Sequence, residues 1–425
     1  MQLARFCLYG FLKNQRPFEP FLILIFLDRG LSFTTIGILV AIREIVMNLL
    51  ELLSGALADT WGRRRAMVAS MTTYIIAFIL FSLTPSKGAL QFIVLAVAMG
   101  LYGAGDAFRS GTHKAMILTW LRQQDRTDER TRIYGLTRSW SKIGSATSVA
   151  VGAAWVLLTG DLESLFLLAL PAYLLGLINL ATYPKSLDGE QVASSPSIRA
   201  TVVHLRQALA QIAQSQPLRG LLLESSAFMG TFKATRDYLQ PILQAAATTG
   251  WVLLLGTTAT AALDSTQRTA LLIGPVYLLL FLWSAAMSRR ADHLVQHTGH
   301  EDTAARWLWT AFTLCFLVLL PAALLNIEAL LIIGFMALYA FEALWRPIII
   351  TRIDAQSTPD QGATLLSVES QARSIATMIL APLLGAAVDF VTAAGQPSWW
   401  PVALLGLWVG LLFIRHPPRH HPPDP

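Results

Sequence analysis

Charge is scarce in this sequence. Of its 425 residues only 14% are Asp, Glu, Lys or Arg, against about a quarter in a soluble chain. With 54% hydrophobic residues and a mean hydropathy of +0.53, that scarcity excludes an ordinary soluble domain and predicts a chain that crosses a membrane many times. Cysteine is nearly absent as well: Cys7 and Cys315 are the only two, each in an apolar run. A disulfide framework or a cysteine-ligated metal centre is not expected. There is no Gly-x-x-x-x-Gly-Lys-Ser/Thr phosphate loop, so nothing points to nucleotide hydrolysis, and neither an enzyme activity nor a cofactor is expected. A signal peptide is not predicted, because Lys13, Arg16 and Glu19 interrupt what would be its apolar core. The formal charge of +6 is spread over short loops and helices. It reads as topology signals and contacts to anionic lipid, not as a nucleic-acid surface.

What is present is a series of long apolar runs, each near the roughly 20 residues that span hydrocarbon. They predict helices over about 5–29, 34–57, 66–84, 88–115, 132–158 and 164–183, then 218–245, 269–290, 303–325, 328–352, 361–391 and 398–415. A polar segment, 184–217, divides the chain nearly in half, and its second part, Ile198 to Ala213, has the pattern of a surface helix. The stretch 246–268 is expected to be an outer loop, its apolar Trp251–Leu255 being too short to span. The Pro-rich end, 416–425, reads as a disordered tail despite His416, His420 and His421. Lys and Arg crowd the loops on one side, while the other side holds only Arg29, Lys87 and Arg268. By the positive-inside rule both termini are cytoplasmic.

The stretch Ser54-Gly-Ala-Leu-Ala-Asp-Thr-Trp-Gly-Arg-Arg-Arg65 is the most specific signal. Its charges exclude it from hydrocarbon, so it is expected as a tight cytoplasmic loop. It resembles the signature loop between helices two and three of the major facilitator superfamily. Gly55, Leu57, Ala58, Asp59, Gly62, Arg63 and Arg64 match, and Thr60 departs from the basic residue often found there. The resemblance implies an all-α membrane fold of twelve transmembrane helices in two pseudo-symmetric six-helix halves. It implies domains over 1–183 and 218–415 joined by the 184–217 linker, with Gly55, Asp59, Gly62, Arg63 and Arg64 acting in conformational switching.

Weak internal similarity supports two halves. Lys13-x-x-Arg16 with Pro20 is echoed by Lys233-x-x-Arg236 with Pro241. Leu101-Tyr102 followed by Arg109 is echoed by Leu338-Tyr339 followed by Arg346, at the same spacing. Their common order across a polar linker is that of two parallel repeats.

Lys13, Arg16, Arg43, Arg109, Lys114, Arg138, Lys142, Lys233, Arg236, Arg346 and Arg373 all fall in the predicted spans. Each costs about 2.5 kcal/mol or more near the bilayer centre unless it faces a wet cavity or a partner. Arg16 with Glu19, Asp106 with Arg109, Glu342 with Arg346, and Glu369 with Arg373 stand three or four apart and can pair on one helix face. Pairing that merely permits insertion is one reading of these residues. The other is substrate recognition: paired arginines on helices one and seven resemble those of superfamily transporters for organic anions, and guanidinium groups suit carboxylate or phosphate. On that reading Arg16, Arg236, Arg109 and Arg346 bind the solute, with Tyr102, Tyr238 and Tyr339 lining its path. Asp237 is expected to point away from Arg236. Glu19, Glu44, Asp106 and Glu342 are candidate proton carriers, and His113 is either a relay or a polar residue at the cytoplasmic mouth.

The chain is therefore expected to be a monomeric secondary transporter in the cell membrane. It would move a small polar, anionic organic solute by alternating access, with H+ as coupling ion and the lipid bilayer as its surroundings. Efflux of drug-like amphiphiles, or a receptor without transport on the same fold, are the alternatives.

Overall fold

The computed structural model describes the backbone of all residues except 86, 189–211, 213, 255–262, 357–361 and 416–425. The expected surface helix at 198–213 and the tail fall almost wholly outside the described residues. Among those described there is no strand. The helices are α1 (Gln2–Leu12), α2 (Leu22–Asp28), α3 (Phe33–Trp61), α4 (Arg63–Ser82), α5 (Ala89–Arg109), α6 (Thr112–Gln123), α7 (Arg130–Thr159) and α8 (Leu165–Ala181). They continue with α9 (Gln216–Thr235), α10 (Leu239–Leu254), α11 (Ser265–Arg289), α12 (Ala291–Thr298), α13 (Glu301–Leu324), α14 (Glu328–Asp354), α15 (Gly362–Ala393) and α16 (Trp400–Arg415). Among the described residues eight spans are long and apolar enough to cross a membrane, and α8 and most of α16 are shorter apolar helices. The remaining two of the twelve expected segments are the broken pairs α1/α2 and α9/α10.

Two compact units result: Met1–Gly30 with Ile42–Thr201 and Thr258–Leu278, and Leu31–Ala41 with Val202–Thr257 and Leu279–Pro425. The start of α3 thus belongs to the second unit and the start of α11 to the first. Each unit repeats the same three main packings. In the first, α4 packs on α5 and on α8, and α1 packs on α7. In the second, α13 packs on α14 and on α16, and α9 packs on α15. These are corresponding helices of the two repeats, so the weak sequence echo is a genuine structural one.

Aromatic side chains fill both interiors. Phe18, Phe78, Phe81, Tyr102 and Phe166 interlock in the first, and Phe228, Trp309, Phe312 and Trp345 in the second. Outward, α7, α8, α13 and α15 expose large apolar residues such as Leu158, Ile178, Leu314 and Phe390. Apolar surface on this scale needs hydrocarbon around it.

Five sequence expectations are corrected. Residues 54–61 are not a loop, because α3 continues to Trp61 and the turn is confined to Gly62, whose φ is +94°. The first segment is not one helix: it breaks after Leu12 and resumes with a 3-10 turn at Glu19–Phe21. Segment seven breaks in the same way at the 3-10 turn Arg236–Tyr238. Segment four turns at Ser110–Gly111, with Gly111 at φ +73°, and continues as α6. The supposed outer loop begins as helix, since α10 runs to Leu254. Pro20 and Pro241 therefore do not kink continuous helices. Each sits in the first turn after a break, where its missing N–H leaves no helical acceptor unmet.

Candidate functional site: two buried carboxylate hubs

In the first unit α5 places Asp106, and glycines decide what reaches it. A Cβ at Gly103 would lie 2.4 Å from the Arg43 carbonyl oxygen, and one at Gly105 would lie 2.8 Å from the Tyr74 ring. Bare backbone at 103 and 105 thus lets α3 and α4 close on α5, delivering Arg43 and Tyr74 to the carboxylate. Asp106 Oδ1 accepts from the Tyr74 hydroxyl (2.6 Å), Arg109 Nη2 (3.0 Å) and Arg16 Nη2 (3.4 Å). Its Oδ2 accepts from Arg43 Nη2 (2.7 Å). One carboxylate therefore serves three arginines.

Arg16 is the most enclosed of them. Its Nε donates to the Tyr173 hydroxyl (2.6 Å), which donates onward to the Lys13 carbonyl (2.7 Å). Its Nη1 donates to Glu19 Oε1 (3.0 Å) and to the Tyr102 hydroxyl (2.9 Å). Its guanidinium lies over the Tyr74 and Tyr102 rings at 4.7 and 4.9 Å. Arg43 lies over Tyr102 at 4.3 Å. The side chains of Arg16 and Asp106 are each 8% exposed, Arg43 22%, Arg109 25% and Glu19 47%. Accessibility thus passes from the hub outward to Arg43, Arg109 and Glu19. Glu44, next to Arg43 in sequence, is buried. Two donors of this cluster, Arg43 Nε and Arg109 Nε, are buried without a hydrogen-bond partner.

His113 makes no hydrogen bond to Asp106 among the described residues. It follows the Ser110–Gly111 turn and packs against Tyr9 (ring centroids 4.1 Å) and Phe6 (5.4 Å).

The second unit has its own hub. Glu369 of α15, fully buried, accepts from Arg346 Nη1 (2.9 Å) and from the Ser225 hydroxyl, and lies 2.8 Å from Arg373 Nε. Arg346 and Arg109 occupy matching repeat positions, and both are held by a buried acid. The acids differ: that of Arg109 is on its own helix, and that of Arg346 is on a neighbour. A second buried network joins Arg352 to Glu224 (3.0 Å) and Asp302 (2.7 Å), with Trp309 Nε1 donating to Glu224 (3.0 Å).

Asp237 does not point away from Arg236: its Oδ1 lies 3.3 Å from Arg236 Nε. Tyr238 packs among Phe33 and Trp399, and Tyr339 meets Phe232 edge-on. Trp345 is fully buried and stacked on Phe228 at 4.2 Å, so it is core. Arg16 belongs to the first unit and Arg236 to the second, and each arginine has its acid within its own unit.

The signature stretch acts as a staple inside the first unit. Arg63 donates to Thr119 Oγ1 (2.8 Å), and Arg64 donates to the Tyr183 carbonyl (3.2 Å) beyond the end of α8. Asp188, which the sequence reading passed over inside the polar linker, accepts from the Arg64 N–H (2.6 Å) and caps α4. The side chain of Asp59 lies outside the described set. Asp389 was missed too: its carboxylate accepts from the N–H groups of Phe33 (2.9 Å) and Thr34 (2.7 Å) at the start of α3, within the second unit.

Buried acid–arginine hubs inside repeated apolar helix bundles define a polytopic membrane protein with polar interiors, the build of a solute transporter. The chain belongs to the Major Facilitator Superfamily, whose family profile matches residues 3–375. No curated protein sequence matches it. Among solved structures it is similar to the nucleoside transporter NupG, with 13% identity, a TM-score of 0.72, and 97% of this chain and 95% of that one covered. It is similar to the peptide transporter POT in complex with sulfate (13%, TM-score 0.68, 98% and 94% covered). It also resembles the xylose transporter XylE from E. coli (14%, TM-score 0.62, 98% and 95% covered). At such identities the likeness is one of fold.

Proposed function

We propose that this protein is a secondary transporter for a small anionic organic solute, with Glu19 as the carrier of a coupling proton. The observation that carries the anionic part is the charge balance around Asp106. Lys13, Arg16, Arg43 and Arg109 stand against Glu19, Glu44 and Asp106, which leaves positive charge in excess. Two guanidinium Nε donors there remain unmatched. Buried donors are almost always satisfied, so a ligand rich in acceptor oxygens is the natural complement. The accessible members, Arg43 and Arg109, are the better solute ligands, while Arg16 is already committed to Glu19, Tyr102, Tyr173 and Asp106. The partly accessible Arg346 and Arg236 of the second unit are further candidates. For coupling, Glu19 is half-exposed and bound by Arg16 and Tyr102, so a proton can reach it and its loss or gain changes what Arg16 holds. Among the fold relatives, one is described as a D-xylose-proton symporter and one was solved with 5-aminolevulinic acid. Neither names a solute for this chain.

The test is uptake into proteoliposomes of radiolabelled mono- and dicarboxylates, phosphate esters, nucleosides and neutral sugars. Saturable uptake confined to anions is expected. Uptake of neutral solutes alone would overturn the reading.

A further inference from the structure

We infer that the first unit carries an oxyanion-binding subsite where two of its segments break, built from Tyr9, Lys13, Arg109, His113 and the N-terminus of α6, and that it takes the phosphate or carboxylate group of the transported solute. The inference rests on the anionic reading above and gives it an address beside the Asp106 hub, with Arg109 shared between the two.

Two breaks meet here. Lys13 is the residue at which α1 stops. Arg109 is the last residue of α5, and α6 starts two residues later behind Gly111, with no side-chain cap on its first turn. A Cβ on Gly111 would meet nothing within 4 Å, so there is room beside that terminus. A helix N-terminus carries partial positive charge and free N–H donors, which suits an anion.

The side chains around it make the independent case. The Tyr9 hydroxyl belongs to a side chain only 1% exposed and has no hydrogen-bond partner. The Tyr9 ring lies 4.1 Å from that of His113, whose Nε2 is likewise buried and unmatched, as is Arg109 Nε. Lys13 Nζ lies 5.6 Å from the same Tyr9 ring and, among the described residues, has no carboxylate within ion-pair distance. Asp106, which holds Arg109, is already shared by three arginines and Tyr74. The unmatched Tyr9 hydroxyl, His113 Nε2 and Arg109 Nε, with Lys13 beside them, thus gather at one helix N-terminus where a ligand oxyanion would supply the missing acceptor. Discontinuous helices that expose their ends are where transporters of this architecture can bind charged groups without stranding backbone in lipid.

The test uses full-length protein in nanodiscs and two radiolabelled probes, inorganic phosphate and succinate, measured by scintillation proximity. Tyr9→Phe removes only the hydroxyl, His113→Phe keeps the ring against Tyr9, and Lys13→Gln removes the charge. Arg132→Gln, at a side chain 82% exposed, is the control. Saturable binding of either probe is expected. Tyr9→Phe and His113→Phe should each weaken it about tenfold, and Lys13→Gln about ten- to a hundredfold, with the control unchanged. Preference for one probe identifies which oxyanion the site takes. If the probes bind but the two phenylalanine variants, shown to be folded, keep wild-type affinity, the subsite is overturned while the anionic reading stands, even if Lys13→Gln weakens binding through long-range charge. If neither probe binds and neutral solutes are transported, both fail.

Discussion

Asp106 matters more to the first unit than any one of its arginines, because it is the acid they share. Replacing it by Asn keeps the shape and removes the charge, leaving Arg16, Arg43 and Arg109 facing one another. Breaking a buried pair from one side typically costs about 3–5 kcal/mol. Asp106→Asn should therefore lower the thermal midpoint of the purified protein markedly, and an unchanged midpoint would show that solvent already screens the cluster. Glu19 differs in kind. Being half-exposed, it can take up a proton from solvent while Arg16 keeps Asp106 as a partner. Glu19→Gln should abolish uptake driven by an imposed pH gradient and leave solute exchange intact; gradient-driven uptake at the wild-type rate would assign the proton elsewhere. The sequence showed these residues, since charges in apolar runs announce themselves. It did not show their partners. Spacing along one helix suggested Arg16 with Glu19 and Asp106 with Arg109, and both pairs exist, but the convergence of Arg43, Tyr74 and Tyr173 on them depends on packing between helices.

Helices were legible from apolar run length, and their interruptions were not. Apolar residues continue beyond Lys13–Phe18 and beyond Ser110–Gly111, so a window of twenty residues passes over each break. The signals were local: Asn14-Gln15 ahead of Pro17, and Gly111 with positive φ. The glycines of α5 had a meaning that only contact reveals. Gly103→Ala would place a methyl 2.4 Å from backbone that cannot turn aside. It should push α3 from α5, cost about 1–3 kcal/mol, and weaken anion binding by moving Arg43. A variant as stable as the wild type would mean the helices are free to separate. Asp389 is the matching case in the second unit. It caps α3 through two backbone N–H groups and the Thr34 hydroxyl, and loss of such a cap costs about 1 kcal/mol. Asp389→Ala should lower the thermal midpoint and Asp389→Asn should lower it less, since an amide oxygen still accepts. Equal midpoints in all three proteins would remove the cap from the account. Asp389 follows a long apolar run and Asp188 sits in a polar linker, so each looked like an ordinary flanking charge.

For the molecule as a whole, duplication leaves its mark in packing more clearly than in residues. The same three helix pairings build each unit, although the sequence retains little more than Lys-x-x-Arg and Leu-Tyr…Arg at matched places. Packing tolerates almost any apolar residue of suitable size, so the letters drift while the geometry stays. Orientation in the bilayer follows from a different property, the placement of charge. Lys and Arg gather in the segments holding Arg63, Arg64 and Arg65, in the polar linker, and around Arg289 and Arg290, while Lys87 stands nearly alone on the other side. Retention of Lys and Arg on the cytoplasmic side is what sets topology in short loops. In a background with Cys7 and Cys315 replaced, a cysteine at Lys87 should therefore react in intact cells with a membrane-impermeant maleimide. A cysteine at Ser195 should react only after permeabilisation. Cys7 is buried and Cys315 partly so, so their removal takes away background without touching either hub. Labelling in the opposite sense would invert the molecule. The helix break at the end of α5, which lies on the Arg63–Arg65 side of its segment, would then have to be assigned to the opposite face of the membrane.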